Sequence, residues 1–208
     1  MNLRPSPVVE TLGLVGAVFV LQQLLALAGA AAIGLVALDA SVGARPWTVV
    51  TSVYAHGGIE HLLGNAVGIA LFGSLVARRT TRRRFHAFFL GTGALAGLAE
   101  VWLGGLVGPS PAVLGASGAV FALMGYLLAG NAVSAWLLDR IGLPVRLQVA
   151  LAVVVAVGLT LATAGPRSAL IGHATGLLVG LVAGRLGVLD VSATVSSVDD
   201  ERPRPQRR

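Results

Sequence analysis

The amino-acid sequence predicts an all-α, polytopic membrane protein with six transmembrane helices. The chain of 208 residues is 55% hydrophobic and has a mean hydropathy of +0.84. Only 12% of its residues are charged, which is about half the share found in a soluble domain. Its length accommodates about six crossings, since each needs roughly 20 apolar residues. These observations argue against a cytosolic enzyme and against a disordered chain.

Six apolar stretches set the predicted domain organisation. They fall at residues 12–38, 57–77, 86–108, 112–133, 148–164 and 168–189. All but the fifth, which is marginal, are long enough to cross a hydrocarbon core of about 30 Å. We therefore expect a cytoplasmic N-terminal segment at 1–11, a membrane domain at 12–189 and a polar, disordered cytoplasmic tail at 190–208.

The charged residues predict the orientation. The net charge of +6 is carried by 15 arginines and no lysine. With a cytoplasmic N-terminus, 13 of these arginines lie on the cytoplasmic side, so the positive-inside rule places both termini there. A signal peptide is the alternative for the first stretch, but its apolar run exceeds the usual core of about 7–15 residues. The arginines lie between apolar blocks, which indicates topology signals rather than a nucleic-acid site.

Four polar side chains are predicted to share one layer of the membrane. His61 and Asn65 lie about four and eight residues into the second helix, and Ser117 and His173 each lie about five residues into a later helix. In the predicted orientation these helices all begin at the outer face. At 1.5 Å per residue the side chains lie roughly 6–12 Å below that face. Polar groups are costly inside a membrane, so this layer is the candidate site.

Ser117 lies in the sequence Gly115-Ala116-Ser117-Gly118 at a predicted helix start. Its small neighbours, Gly115 and Gly118, leave the hydroxyl and the backbone N–H accessible to a substrate. Unpaired N–H groups at a helix start also favour developing negative charge. Taken alone, however, a serine at this position is more often a helix cap.

His173 lies on a glycine stripe that allows close approach of two helices. The stripe has four-residue spacing, at positions 172, 176, 180 and 184. Gly118 and Gly125 offer a matching face on the fourth helix. Packing of these faces, with Gly176 in the contact, would bring Ser117 next to His173. A neutral histidine can then act as the general base for the serine.

His61 and Asn65 are four residues apart and share a helix face. Both side chains can donate hydrogen bonds. Aimed at a scissile carbonyl, they would stabilise an oxyanion together with the Ser117 N–H, and one such donor is worth roughly 10²–10³ in rate. For Asn65 alone, a helix–helix hydrogen bond is a fair alternative.

A metalloprotease site is the alternative for the cluster of His56, Glu60 and His61. Its spacing matches neither H-E-x-x-H nor H-x-x-E-H. We therefore expect no metal ion and no cofactor, and we assign His56 to hydrogen bonds that hold the turn into the second helix. Glu100 has no partner evident in the sequence, and a structural role is favoured for it.

Three motifs occur in a specific order and spacing. They are H-x4-H-x3-N from His56 to Asn65, G-x-S-G from Gly115 to Gly118, and H-x2-G-x3-G-x3-G from His173 to Gly184. In this combination the chain resembles the rhomboid intramembrane serine proteases over about residues 12–189. The resemblance implies a six-helix rhomboid-like bundle with a cavity open to the outer face. The family cleaves transmembrane segments of other proteins.

The resemblance also implies roles for individual residues. Ser117 would be the nucleophile and His173 its base, in a dyad without a carboxylate, while His61 and Asn65 would line the oxyanion site. Many members have tyrosine four residues after the nucleophile, where Phe121 can supply the same ring stacking but no hydroxyl. The family often has Trp-Arg in a first external loop, whereas here Thr48 follows the tryptophan and the loop is short.

The predicted function is therefore an intramembrane serine endopeptidase acting on transmembrane protein substrates. The alternatives are a proteolytically inactive rhomboid-like protein that binds membrane clients, and a small transporter or channel. Inactive relatives usually lose the serine or the histidine, and the polar residues here occupy one layer only. The arginine-rich composition favours a prokaryotic plasma membrane. We expect a lipid bilayer and membrane proteins as partners and no nucleic acid, and the oligomeric state is not predicted.

Overall fold

The computed structural model describes residues 6–27, 32–106, 112–131, 140–142, 144–162 and 169–191. In chain order the helices are α1 (Pro7–Leu27), α2 (Ala32–Val36), α3 (Thr48–Tyr54), α4 (Ile59–Gly68), α5 (Ser74–Ala77), α6 (Arg82–Gly104), α7 (Ser117–Ala129), α8 (Val145–Ala162) and α9 (Leu170–Arg185). A π-helical turn, Ile69–Gly73, joins α4 to α5. The prediction of an all-α protein is confirmed.

The apolar helices form a membrane bundle. In the described part of the chain, three helices are long and apolar enough to cross a membrane, namely α1, the rod Ile59–Ala77 and α6. Helices α7 and α9 are shorter apolar helices, and α8 presents exposed leucine and valine side chains. Each of the six predicted stretches overlaps one of these helices, so the predicted polytopic bundle is confirmed.

Helix α1 departs from the predicted boundaries of the first stretch. It begins at Pro7 rather than at residue 12, because proline suits the first helical position and the Ser6 hydroxyl accepts a hydrogen bond from the Val9 N–H at 3.3 Å. Helix α1 ends at Leu27, and the short helix α2 occupies a later part of the stretch. Residues 1–5, residues 28–31 and the predicted tail from residue 192 onward lie outside the described residues.

The connection from α2 to α4 contains a helix that the sequence did not predict. Helix α3 has seven residues, too few to be found by a search for crossings of roughly 20 residues. The loop before it is held by side chains: the Trp47 indole N–H donates to the Leu35 carbonyl at 3.0 Å, and the Thr48 hydroxyl donates to the Arg45 carbonyl at 2.7 Å. Arg45 also forms an ion pair with Asp39. The loop is therefore more structured than expected.

Helices α7 and α9 lie at the centre of the bundle and pack backbone to backbone. A Cβ atom added at Gly176 or Gly180 of α9 would collide with the carbonyl oxygen of Gly118 or Ala122 of α7. Helix α6 covers this pair, and its Ala96 side chain occupies the space where Gly118 would carry a Cβ. The glycine stripe therefore lies in the α7–α9 interface, where the absence of side chains lets the two backbones touch.

The arginine run at residues 78–84 lies at the opposite end of the bundle from Ser117. Arg79 donates to the carbonyl of Gly130, just after the end of α7, at 3.0 Å. Glu10 of α1 accepts hydrogen bonds from Arg82 and His86 of α6 at 2.7 and 2.8 Å. The two contacts of Glu10 tie α1 to α6 far from the candidate site.

Candidate active site

Helices α4, α7 and α9 all begin at one end of the bundle, around a common cleft. The cleft has a volume of about 840 Å³. Among the residues that line it are His61, Asn65, Ser117, Phe121 and His173. The structure therefore brings together the four polar side chains that were predicted to share a layer.

Ser117 and His173 are in direct contact within this cleft. The Ser117 Oγ and the His173 Nε2 are 2.8 Å apart, which is a hydrogen-bond distance. Ser117 is the first residue of α7 and His173 is the fourth residue of α9. The contact lies beside the point where Gly118 and Gly176 touch, and the short serine side chain reaches the imidazole because the two backbones are so close.

The start of α7 differs from the prediction, which placed Ser117 about five residues inside a helix. Instead, the preceding segment is extended, and Val113 pairs with Leu38 through two backbone hydrogen bonds of 2.7 and 2.9 Å. Gly115 donates its N–H to the Ser52 carbonyl at 2.8 Å and has a φ of +123°, a conformation that favours glycine. The chain turns there, so Ser117 lies at the helix terminus, where N–H groups lack helical partners. Backbone pairing of this kind leaves no signal in one sequence.

Two contacts hold the imidazole of His173: the hydrogen bond at Nε2 and an aromatic ring stacked on its face. The Phe121 ring stacks on it with a centroid separation of 4.5 Å and an interplanar angle of 10°. Phe121 lies one helical turn after Ser117, on the same face of α7. The Nδ1 atom of His173 is buried and has no hydrogen-bond partner among the described residues. Within that part of the chain, His173 is therefore oriented by Ser117 and Phe121 without a carboxylate.

His61 and Asn65 approach this pair from α4. The His61 ring packs against Gly115, where an added Cβ would lie 2.5 Å from the ring Cε1 atom. Asn65 is buried, and its amide Nδ2 donates to the His61 carbonyl at 2.9 Å. Both residues line the cleft, but one amide hydrogen of Asn65 is already used within α4.

His56 lies in the turn before α4 and is buried. Its Nδ1 donates to the Tyr54 carbonyl at 3.1 Å, and its ring meets the His61 ring edge to face, with centroids 5.1 Å apart. Burial lowers the pKa of His56 to about 4, so the ring is neutral near pH 7. The main chain of His56 is bonded by Gln22 of α1. Gln22 was not predicted for the site, although an amide within an apolar stretch is a usable signal.

Glu100 of α6 caps the last helix. Its Oε2 accepts a hydrogen bond from the Gly172 N–H at 2.7 Å. Gly172 is the third residue of α9, so its N–H has no partner within the helix. The partner is supplied from a neighbouring helix directly beside His173. Glu100 therefore has a specific structural contact. The contact depends on tertiary packing and is not visible in the sequence.

Comparisons with known proteins find two similarities. The family model described as Rhomboid domain matches residues 43–189 of this chain. In Bacillus subtilis (strain 168), the protein named "Putative rhomboid protease YdcA" is 32% identical over 83 residues. That alignment spans 39% of this chain and 40% of the relative. The region matched by the family model contains all of the cleft residues named above.

Proposed function

This chain belongs to the rhomboid family, and on that premise we propose that it is an intramembrane serine endopeptidase. Its substrates in this proposal are transmembrane segments of other membrane proteins. The observation that carries the proposal is the 2.8 Å contact between the Ser117 Oγ and the His173 Nε2 in an open cleft. A serine hydroxyl is a weak nucleophile until a base accepts its proton, and the contact supplies that base.

The proposed reaction has two steps. In the first, the Ser117 Oγ attacks the peptide carbonyl carbon while the His173 Nε2 accepts the hydroxyl proton. His173 then donates that proton to the leaving amine, and an acyl-enzyme remains. In the second step a water molecule gives a proton to His173 and attacks the acyl carbon, and the proton returns to Ser117 as the acid product leaves. Stacking by Phe121 holds the imidazole in one plane throughout.

The negative charge that develops on the substrate carbonyl oxygen is stabilised from two sides in this proposal. The N–H groups at the start of α7, beginning with that of Ser117, have no partner within the helix. The His61 ring lies against Gly115, two residues earlier, and Asn65 lines the same cleft. Donors held in place before the reaction cost no reorganisation when the charge appears.

The proposed orientation places the cleft at the non-cytoplasmic face of a prokaryotic plasma membrane, with both termini in the cytoplasm. The arginine run at 78–84 lies at the end of the bundle remote from Ser117, and arginine favours the cytoplasmic side. In this orientation water would reach the cleft from outside, as hydrolysis requires.

Covalent labelling with a fluorophosphonate probe tests the proposal. We expect the purified parent to be labelled and Ser117→Ala to remain unlabelled, because the probe reacts with an activated serine. Cleavage of co-expressed single-span reporter proteins should show the same dependence on Ser117. A folded parent that neither labels nor cleaves would overturn the proposal and favour a proteolytically inactive protein that binds membrane clients.

A further inference from the structure

An amide side chain within the apolar helix α1 holds the turn that leads into α4. Gln22 is 4% exposed and bonds to both main-chain groups of His56. Its Oε1 accepts from the His56 N–H at 3.0 Å, and its Nε2 donates to the His56 carbonyl at 3.2 Å. The Gln22 side chain, 34 residues away in the sequence, thus bonds to both the N–H and the C=O of the buried residue His56.

The pairing with Gln22 matters because the turn into α4 comes directly after His56. The two residues of that turn, Gly57 and Gly58, have no side chains to anchor it, and α4 begins immediately after them at Ile59. A buried N–H or C=O without a partner is costly. The bonds to Gln22 are therefore a specific restraint on where α4 enters the bundle.

From His56 the contact continues to the cleft. The His56 ring lies edge to face with the His61 ring, at a centroid separation of 5.1 Å. The His61 ring in turn packs against Gly115, two residues before Ser117. Helix α1 is thereby connected, through one hydrogen-bonded residue, to the side of the cleft that faces the candidate oxyanion position.

We infer that Gln22 is a positioning residue for this site. By holding the His56 main chain it sets the start of α4 and, with it, the position of the His61 ring. The inference rests on the proposed function, in which His61 stabilises the oxyanion. Because the oxyanion exists only after the substrate carbonyl is attacked, misplacement of His61 lowers kcat more than it changes KM.

Two neighbouring glutamines provide a matched test. Gln22→Leu removes both hydrogen bonds at similar volume, whereas Gln23→Leu changes the exposed next residue and leaves them intact. With a transmembrane reporter substrate, we expect kcat to fall roughly 10- to 100-fold in Gln22→Leu with KM nearly unchanged. Gln23→Leu should keep the parent kcat. An unchanged kcat in Gln22→Leu, or a loss confined to KM, would overturn the inference.

Gln22→Glu provides a second test, which decides the matter if the leucine variant does not fold. A carboxylate accepts from the His56 N–H but cannot donate to its carbonyl, whereas a protonated carboxyl group does both. Buried glutamates titrate at up to about pH 8–9, so the ratio of variant to parent kcat should rise as the pH is lowered. The parent profile, measured alongside, shows how the other titratable groups near the turn and the cleft, namely His56, His61 and His173, affect kcat when residue 22 is uncharged. A ratio that is independent of pH contradicts a positioning role.

A readout that needs no proteolysis separates this inference from the proposed function. In a Ser117→Ala background, ¹⁵N-histidine NMR spectra should show shifted His61 ring signals for Gln22→Leu and unshifted signals for Gln23→Leu. Unshifted His61 signals in Gln22→Leu would overturn the inference. Shifted signals in a protein whose parent shows no Ser117-dependent cleavage would support the restraint on α4 while refuting the protease proposal.

Discussion

The cleft has two walls that are built in different ways. The dyad wall, formed by α7 and α9, has helix backbones in contact, and a Cβ at Gly176 would collide with the Gly118 carbonyl. The α4 wall, formed by α4 and the turn before it, is more open. Apart from its chain neighbours and the backbone of its own helix, a Cβ at Gly64 would meet no atom of the described residues within 4 Å. Ile59 and Leu63 are 55% and 57% exposed.

This difference corresponds to two tasks in the proposed reaction. Proton transfer between an oxygen and a nitrogen needs a fixed separation, and an interface without free volume keeps it. A transmembrane substrate, in contrast, needs a side of the cleft on which a helix surface is free to receive it. We therefore expect a substitution on the dyad wall to cost more activity than one of similar size on the α4 wall.

His173→Ala should have the largest effect, because it removes the proposed general base of the dyad wall. We expect kcat to fall by about 10⁴-fold or more, with loss of fluorophosphonate labelling and little change in thermal unfolding. His86→Ala, at the opposite end of the bundle, is the matched control and should retain cleavage. Full activity of His173→Ala would remove the distinction between the two walls, since neither would then hold the reacting pair.

Two glycine-to-alanine substitutions compare the walls directly. Gly176→Ala must push α7 and α9 apart, which should destabilise the fold by about 1–3 kcal/mol. A misplacement of about 1 Å also costs roughly 10²-fold in rate. Gly64→Ala adds the same methyl group to the open side of the cleft, where it meets no close neighbour, and should cost much less of both quantities. Thermal unfolding and kcat measured on both variants are the test, and equal losses would show that the walls do not differ.

Asn65→Ala probes the α4 wall at the buried polar residue of α4 itself. One amide hydrogen of Asn65 is used on the His61 carbonyl, so only the remaining hydrogen is free for the oxyanion. We therefore expect kcat to fall by about 10²-fold, the lower end of the range for one such donor. KM should change little. A cleavage rate equal to that of the parent would make Asn65 a structural residue only.

Substitution of Glu100 should have the smallest effect on activity. It tests whether the hydrogen bond to Gly172 stabilises the α9 side of the dyad wall. Glu100→Leu removes the acceptor for the Gly172 N–H and should lower stability by about 1–3 kcal/mol. Glu100→Gln keeps an acceptor oxygen and should be nearly neutral. The difference in thermal unfolding between the two variants measures the cap. If both variants unfold alike, the hydrogen bond at 2.7 Å does not hold the start of α9.

The sequence predicted the parts of this molecule that depend on local pattern. The hydropathy of each stretch indicated the helices, and four-residue glycine spacing indicated the close approach that places Ser117 beside His173. These predictions succeeded because helix periodicity alone determines which side chains share a face. The cluster of polar residues at one depth was predicted by counting residues along each helix.

The parts that were missed depend on contacts between distant segments. Nothing in the sequence around Glu100 indicates that its partner is a backbone N–H in the last helix. The start of α7 was misplaced because the preceding residues are apolar yet pair with Leu38 as extended chain. Helix α3 was missed because its seven residues are too few for a membrane span. For Glu100 and for the start of α7, the deciding hydrogen bond joins residues that no local period connects, whereas α3 was missed for its length alone.

The pairing of Leu38 with Val113, and of Gly115 with Ser52, has a consequence for how the first loop can vary in evolution. Both contacts join main-chain atoms only, so they survive when side chains are exchanged. A loop that keeps its length and path can therefore exchange side chains while the segment leading to Ser117 keeps its support. Such exchanges therefore leave the position of Ser117 unchanged.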